Sequence, residues 1–169
     1  MELSYENNVG DSVALMRYQL ATDPDFKKRK RLNLYIYPLI ILAGLSMLSV
    51  INKEFAGVIG GIIGALIAYV WNWCAYRHHE RKLEKHIRGR EQKEVYCRHT
   101  VTIASEGITE KTAESQNFHS WKAVTRVSFT PDFIYVFNTP VTAHIIPLRE
   151  VGEAVFQQAA AEIGKYWKA

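Results

Sequence analysis

Two apolar runs separated by three residues constrain this chain more than any other feature. Leu32 to Ile51 is twenty residues without a charged side chain, Phe55 to Tyr76 adds twenty-two more, and Asn52-Lys53-Glu54 lies between them. At about 1.5 Å per residue each run makes a helix of about 30 Å, the thickness of a bilayer's hydrocarbon core. Neither keeps the polar stripe that a core helix of a soluble protein turns toward water. The pattern predicts a transmembrane hairpin, helices over 32–51 and 55–76 joined by an external turn at 52–54.

Charge placement orients that hairpin. The 169 residues carry a net charge of +4, and the excess sits beside the apolar runs. Residues 1–31 hold six Lys/Arg against five Asp/Glu, residues 77–94 seven against four, and residues 95–169 seven of each. A C-terminal part without net charge argues against nucleic acid, which selects a basic face. Lysines and arginines crowd the outer ends of both runs while the turn offers one Lys, so the positive-inside rule places both termini in the cytoplasm. Tyr35 and Tyr37, with Tyr69, Trp71, Trp73 and Tyr76, fall at that same interface, where amphipathic rings prefer to sit. The first thirty residues hold no apolar stretch of the signal-peptide kind. Cys74 and Cys97 do not make a disulfide framework.

The basic flanks admit two readings. Lys27, Lys28, Arg29, Lys30 and Arg31 before the hairpin, and Arg77, Arg81 and Lys82 after it, are candidate contacts for anionic lipid headgroups, each worth about 1 kcal/mol near the surface. Equally, they serve only to set topology. Within the second run, Gly57/Gly61 and Gly60/Gly64 are overlapping GxxxG spacings that let another helix approach closely. Their partner is either the first run, through Ala43, Gly44 and Ser46, or the same helix in a second copy. Pro38 is expected to kink the first helix. Asn72 is the one strongly polar side chain in the second run, and without a buried charge a transport role has no footing.

Residues 1–31 read as a cytosolic N-terminal segment. "ELSYE" alternates as a strand, and a helix follows with Asp11 as a plausible N-cap, broken at Asp23-Pro24. Beyond the second run the helix continues as a stalk over 77–94, ending near Gly89. His78, His79 and His86 on that stalk lack the spacing of a two-ligand metal grip.

From Val95 the period changes to two. "VYCRHTVTIASEGITEKT" predicts two strands around a turn at Ser105-Glu106-Gly107, and "AVTRVSF", "FIYVFN" and "AHIIPL" predict three more. Gly107 suits a positive φ in that turn. Trp121 is expected to cap the sheet core, and Pro147 to end the last strand and launch a helix. That helix places Val151, Val155, Phe156, Ala159, Ile163 and Trp167 on one face. The predicted fold class is α+β: a two-helix transmembrane hairpin and a small cytosolic antiparallel sheet domain, residues 95–169, with a C-terminal helix.

Ile103, Glu106, Gly107, Ile108, Glu110 and Thr112, then Ser120-Trp121, the run Asp132 to Phe137, and Ile145 to Arg149 ahead of a helix together resemble the YcxB-like family. The resemblance implies a bacterial inner-membrane protein whose C-terminal domain has a pleckstrin-homology-like (PH-like) fold. It implies location and fold rather than a chemistry.

No Walker loop, dinucleotide fingerprint, HExxH or nucleophile motif is present, so the chain reads as no enzyme, without metal or cofactor. Glu106 and Glu110 flank the predicted hairpin turn and are expected to be solvated. His119 and Ser120 are adjacent on a strand, which sends them to opposite faces. Two functions from different classes follow. The cytosolic domain is a protein-interaction (adaptor) module at the membrane, binding a protein partner or forming a homodimer, or it is an anionic-lipid headgroup module. The domain's zero net charge favours the adaptor.

Overall fold

The computed structural model describes residues 1–52, 55–89 and 96–167; Lys53 and Glu54 of the expected turn and the end of the expected stalk lie outside the described residues. In chain order the elements are β1 (Glu2–Glu6), α1 (Val9–Thr22), α2 (Pro24–Arg31), a π-helical stretch Leu32–Ile36, α3 (Tyr37–Asn52) and α4 (Ala56–Arg88). Then follow β2 (Arg98–Ile103), β3 (Gly107–Lys111), β4 (Gln116–Ser120), β5 (Arg126–Phe129), β6 (Phe133–Phe137), β7 (Ala143–Pro147), α5 (Leu148–Val151) and α6 (Glu153–Tyr166). The chain divides into two compact units, Met1–Met16 with Arg90–Ala169, and Arg17–Gly89. The fold is α+β, with two long apolar helices and antiparallel sheets.

In the first unit, β1-β2-β3-β4 form one antiparallel sheet and β5-β6-β7 a second. The N-terminal strand is therefore not a separate segment. It pairs along its whole length with β2, from Glu2 opposite Thr102 to Glu6 opposite Arg98, and the helical unit is spliced between the two paired strands. The alternation of "ELSYE" explains the pairing, because Leu3 and Tyr5 enter the core while Glu2, Ser4 and Glu6 stay exposed. One core joins both sheets to α6: Val101, Ile103 and Ile108 from the first, Ile134, Val136 and Ile146 from the second, and Phe156, Ala159 and Ile163 from the helix. The helix face follows the predicted spacing, and Val151, Val155 and Trp167 pack at its margin. Trp121 lies against the same core, its indole Nε1 donating to the Ala104 carbonyl at 2.8 Å.

Two glycines act differently from expectation. Gly107 opens β3 opposite Ser120, and among the described glycines only Gly152 has a positive φ. What Gly107 supplies is room, since a Cβ there would lie 2.2 Å from the His119 carbonyl oxygen and 2.8 Å from Ser120 Cα. Both obstacles are backbone and cannot rotate away. Gly107→Ala is expected to cost about 3 kcal/mol or more, read as a lowered denaturation midpoint with an unchanged m-value. Gly152, at φ 78° and ψ 158°, separates α5 from α6, so the helix expected after Pro147 is two pieces.

Asp11 is not the first cap of α1 but its third residue in a reciprocal pair. The Asn8 N–H donates to Asp11 Oδ2 at 2.8 Å, and the Asp11 N–H to Asn8 Oδ1 at 3.2 Å, a capping box in which Asn8 is the cap. Asp11 is 1% exposed and is bridged by both terminal nitrogens of Arg149, which also donates to the Glu6 carbonyl. Arg149→Ala leaves a buried carboxylate short of its cation. The expected loss is about 2 kcal/mol in a denaturant titration, less than for a fully buried pair because Arg149 is partly solvated.

In the second unit Asp23 caps α2, its Oδ1 accepting from the Asp25 and Phe26 N–H groups, with Pro24 in the first turn. Pro38 lacks an N–H and its ring crowds the carbonyl four residues back, at Leu34. The helix answers by widening to π geometry over Leu32–Ile36, where the Tyr37 N–H reaches the Leu32 carbonyl. α3 and α4 run antiparallel. A Cβ on Gly57 would meet Ser49 at 2.9 Å, one on Gly61 would meet Leu45 at 3.3 Å, and one on Gly64 would meet Ile41 at 3.6 Å. Gly60 has open space instead, because it lies on another face of α4. The glycines that face α3 are thus Gly57, Gly61 and Gly64, and Gly60 is turned away from it.

Candidate functional site

The inner faces of β2, β3 and β7 change character along their length. β2 points His99, Val101 and Ile103 inward, β3 points Ile108 and Glu110, and β7 points His144 and Ile146. The apolar members build the core that α6 closes. The polar members meet each other. Glu110 Oε1 lies 2.9 Å from His99 Nδ1, and Oε2 lies 2.8 Å from His144 Nδ1. One carboxylate therefore bridges two imidazoles that are both more than nine-tenths buried.

His144 donates from Nδ1 to the carboxylate, and His99 Nδ1 lies at ion-pair distance from it. His99 Nε2 faces Cys97 Sγ at 3.8 Å, and His144 Nε2 is buried with no partner. The spacings are those of hydrogen bonds and leave no gap for a metal ion between carboxylate and rings. No group of His, Cys, Asp or Glu with metal-holding geometry occurs among the described residues. Burial raises the Glu110 carboxyl, but the hydrogen bonds from His144 and His99, with their charges, outweigh it and hold it down to about 2. Glu110 is therefore an anion at neutral pH.

Neighbouring groups extend the cluster. His119 lies 5.1 Å from the His144 ring, centre to centre, and accepts at Nε2 from Asn138 Nδ2 at 3.3 Å. Burial and the adjacent His144 lower its basicity against the opposing charge of Glu110. Tyr5 stacks on His99 at 5.9 Å, and burial, then the charges of Glu110 and Asp11, hold its hydroxyl well above the usual phenol range. Over Glu110 and His99 opens a pocket of about 410 Å³. Its wall carries the amides of Asn7 and Asn117 and the hydroxyls of Ser12 and Thr112, and no Lys or Arg lines it among the described residues.

Glu110 is the correction that matters most. The sequence reading left it solvated beside a hairpin turn, yet the turn ends at Gly107 and Glu110 shares the inward parity of Ile108. His99 and His144 were missed outright. The available signal was parity: each stands two residues from an inward aliphatic, so a period-two pattern that buries Val101 and Ile146 buries them as well. Glu106, by contrast, is exposed as expected.

The basic candidates all lie in the helical unit. Lys27, Lys28, Arg29 and Arg31 are exposed on α2, while Lys30 reaches Glu80 at 3.3 Å and sits 5.8 Å above the Tyr76 ring. Arg77 covers the Trp73 ring at 4.5 Å, and Arg81 and Lys82 are exposed on α4. Asn72 bonds back to the Ala68 carbonyl of its own helix, and Asn33 reaches across to Tyr76 Oη at 2.8 Å.

Residues 103–158 match the model of the YcxB-like protein family. This segment is YcxB-like. It runs from the end of β2 to the first turns of α6 and carries Glu110, His119 and His144, whereas His99 and the pairing strand β1 lie outside it. The family motifs read from the sequence, from Ile103 to Arg149, all fall within the YcxB-like segment. No curated protein and no solved structure matches the chain.

Proposed function

We propose that the chain is an integral protein of a bacterial inner membrane, with its helical hairpin in the bilayer and both termini in the cytoplasm. Its YcxB-like, PH-like domain serves there as a protein-interaction module. The observation that carries the membrane reading is exposure. Only 17% of the apolar window in Pro24–Asn52 and 6% of that in Ala56–Arg88 is buried, whereas a core helix of a soluble protein buries most of such a window. Leu39, Ile40, Leu66 and Ile67 present bare hydrocarbon outward, which lipid accommodates and water does not.

Two antiparallel sheets of four and three strands closed by a C-terminal helix support the PH-like reading. For the interaction role, the supporting features are a pocket floored by the Glu110 carboxylate with no Lys or Arg among its described lining residues to hold a headgroup phosphate, and Phe118, 57% exposed on the sheet-edge strand β4. The test is in-cell photocrosslinking from position 118 of the full chain. One discrete protein adduct, lost when the probe is moved to Glu162 on α6, is the expected result. Adducts only to lipid would return the domain to the headgroup reading.

A further inference from the structure

We infer that Cys97 is a site of thiol oxidation by hydroperoxides, with His99 as the base that takes and returns its proton and Glu110 as the residue that positions His99. The site does not depend on the membrane or the interaction reading.

Three side chains follow one another from the surface inward. Cys97 stands just ahead of β2, two residues from His99, and its Sγ lies 3.8 Å from His99 Nε2. On the other side of the ring, His99 Nδ1 lies 2.9 Å from Glu110 Oε1. Thiol, imidazole and carboxylate thus stand in the order of a nucleophile, its base and the group that orients the base. Access differs in the same order. Cys97 is half-buried and within reach of a small reagent, whereas His99 is 5% exposed. The ring is also held from the side, because Tyr5 of β1 stacks on it at 5.9 Å. The titratable groups around it are therefore Cys97, Tyr5, Glu110 and, through the shared carboxylate, His144 of β7.

A hydroperoxide asks little of such a site beyond a thiolate and a proton for the departing oxygen. The Cys97 thiol passes its proton to His99 Nε2, and the resulting imidazolium faces the Glu110 carboxylate. In that form His99 is a cation, in keeping with the charge by which it helps hold the Glu110 carboxyl down. The thiolate attacks one peroxide oxygen, so that an S–O bond forms and the O–O bond breaks. Sulfur loses two electrons and the departing oxygen gains them. That oxygen takes the proton back from Nε2 and leaves as water or an alcohol, and Cys97 becomes a sulfenic acid.

The test uses the full chain in detergent micelles with Cys74→Ser, which leaves Cys97 as its single thiol. Hydrogen peroxide is added with dimedone, which traps sulfenic acid, and the adduct is followed by mass spectrometry. An ordinary thiol, with a pKa of about 8.5, slows about twentyfold between pH 8 and pH 6.5 as its thiolate fraction falls. Cys97 is expected to slow less than about threefold over the same range. His99→Gln should slow adduct formation at pH 6.5 by about tenfold or more, and Glu110→Gln should move the pH profile toward that of an ordinary thiol. If His99→Gln fails to fold, the pH profile of the Cys74→Ser protein decides. The inference is overturned by no dimedone adduct on Cys97, by the pH profile of an ordinary thiol, or by His99→Gln reacting at the unsubstituted rate. An unchanged profile in Glu110→Gln overturns the role given to Glu110.

Discussion

Residues 96–167 expressed alone are expected not to reach the native fold, and the same residues joined to 1–16 through a flexible linker are expected to regain it. The reason is that β1 and β2, neighbours in the sheet, are separated in the chain by the whole helical unit. Cutting before residue 96 removes Leu3 and Tyr5, which are 5% and 3% exposed in the core. It also removes the β1 ladder, the bond from the Ile103 N–H to the Met1 carbonyl, and the Asp11 carboxylate that pairs with Arg149. Burial of two large side chains and a handful of backbone bonds sum to about 5–8 kcal/mol, which is comparable with the whole stability of a small domain. Backbone amide dispersion in a proton–nitrogen NMR spectrum reads the result. A well-dispersed spectrum from the shorter fragment would show that β1 is dispensable.

Glu110→Ala should be the most damaging single substitution of a polar residue in this domain. It deletes the carboxylate that accepts from His144 Nδ1 and pairs with His99, leaving two buried imidazoles without their partner, for a loss on the order of 3 kcal/mol and a melting point lower by roughly 10–20 °C. The same carboxylate sets an acid limit. Its folded pKa of about 2 lies below the 4.5 of a free glutamate, so its contribution is fully present above pH 4.5. That contribution is lost as the pH falls from there toward 2, an amount on the order of 3 kcal/mol. Stability measured from pH 7 to pH 2 should therefore fall more steeply in wild type than in Glu110→Gln, and the two curves should converge at the acid end. Parallel curves would mean that Glu110 is not held by its histidines.

Much of the helical unit was legible from residue order alone. Helix spans, the break at Asp23-Pro24, the disturbance at Pro38 and the end at Gly89 depend on neighbours within a turn or two, which a local pattern records. Strands β3, β5, β6 and β7 of the YcxB-like segment and the buried face of α6 were legible for the same reason, whereas β4, Gln116–Ser120, is a strand beyond the five expected. Where the reading failed, the deciding neighbour was distant. Asp11 looked like a cap because an acid opens the helix, but Asn8 takes that place and Asp11 serves Arg149. Gly107 looked like a turn residue, but the His119 carbonyl pressing on it comes from β4. Gly60 fitted a GxxxG spacing as well as Gly61 does, and only the position of α3 distinguishes them.

Glu110 shows the same limit at the candidate site. Alternation in β3 put it on the face of Ile108, yet nothing local says how far the cover over that face extends. The cover comes from β7, and His144 arrives on it to meet the carboxylate beside His99. Residue order by itself determined a charge-flanked apolar hairpin and a strand-rich C-terminal part with an amphipathic helix. Tertiary structure alone decided that β1 belongs to that part, that one carboxylate joins histidines from two strands, and that a polar pocket opens above them. Periodicity is a property of one element, set by the 3.6- and 2-residue repeats of the backbone. Convergence of side chains from different strands exists only once the chain has brought those strands together.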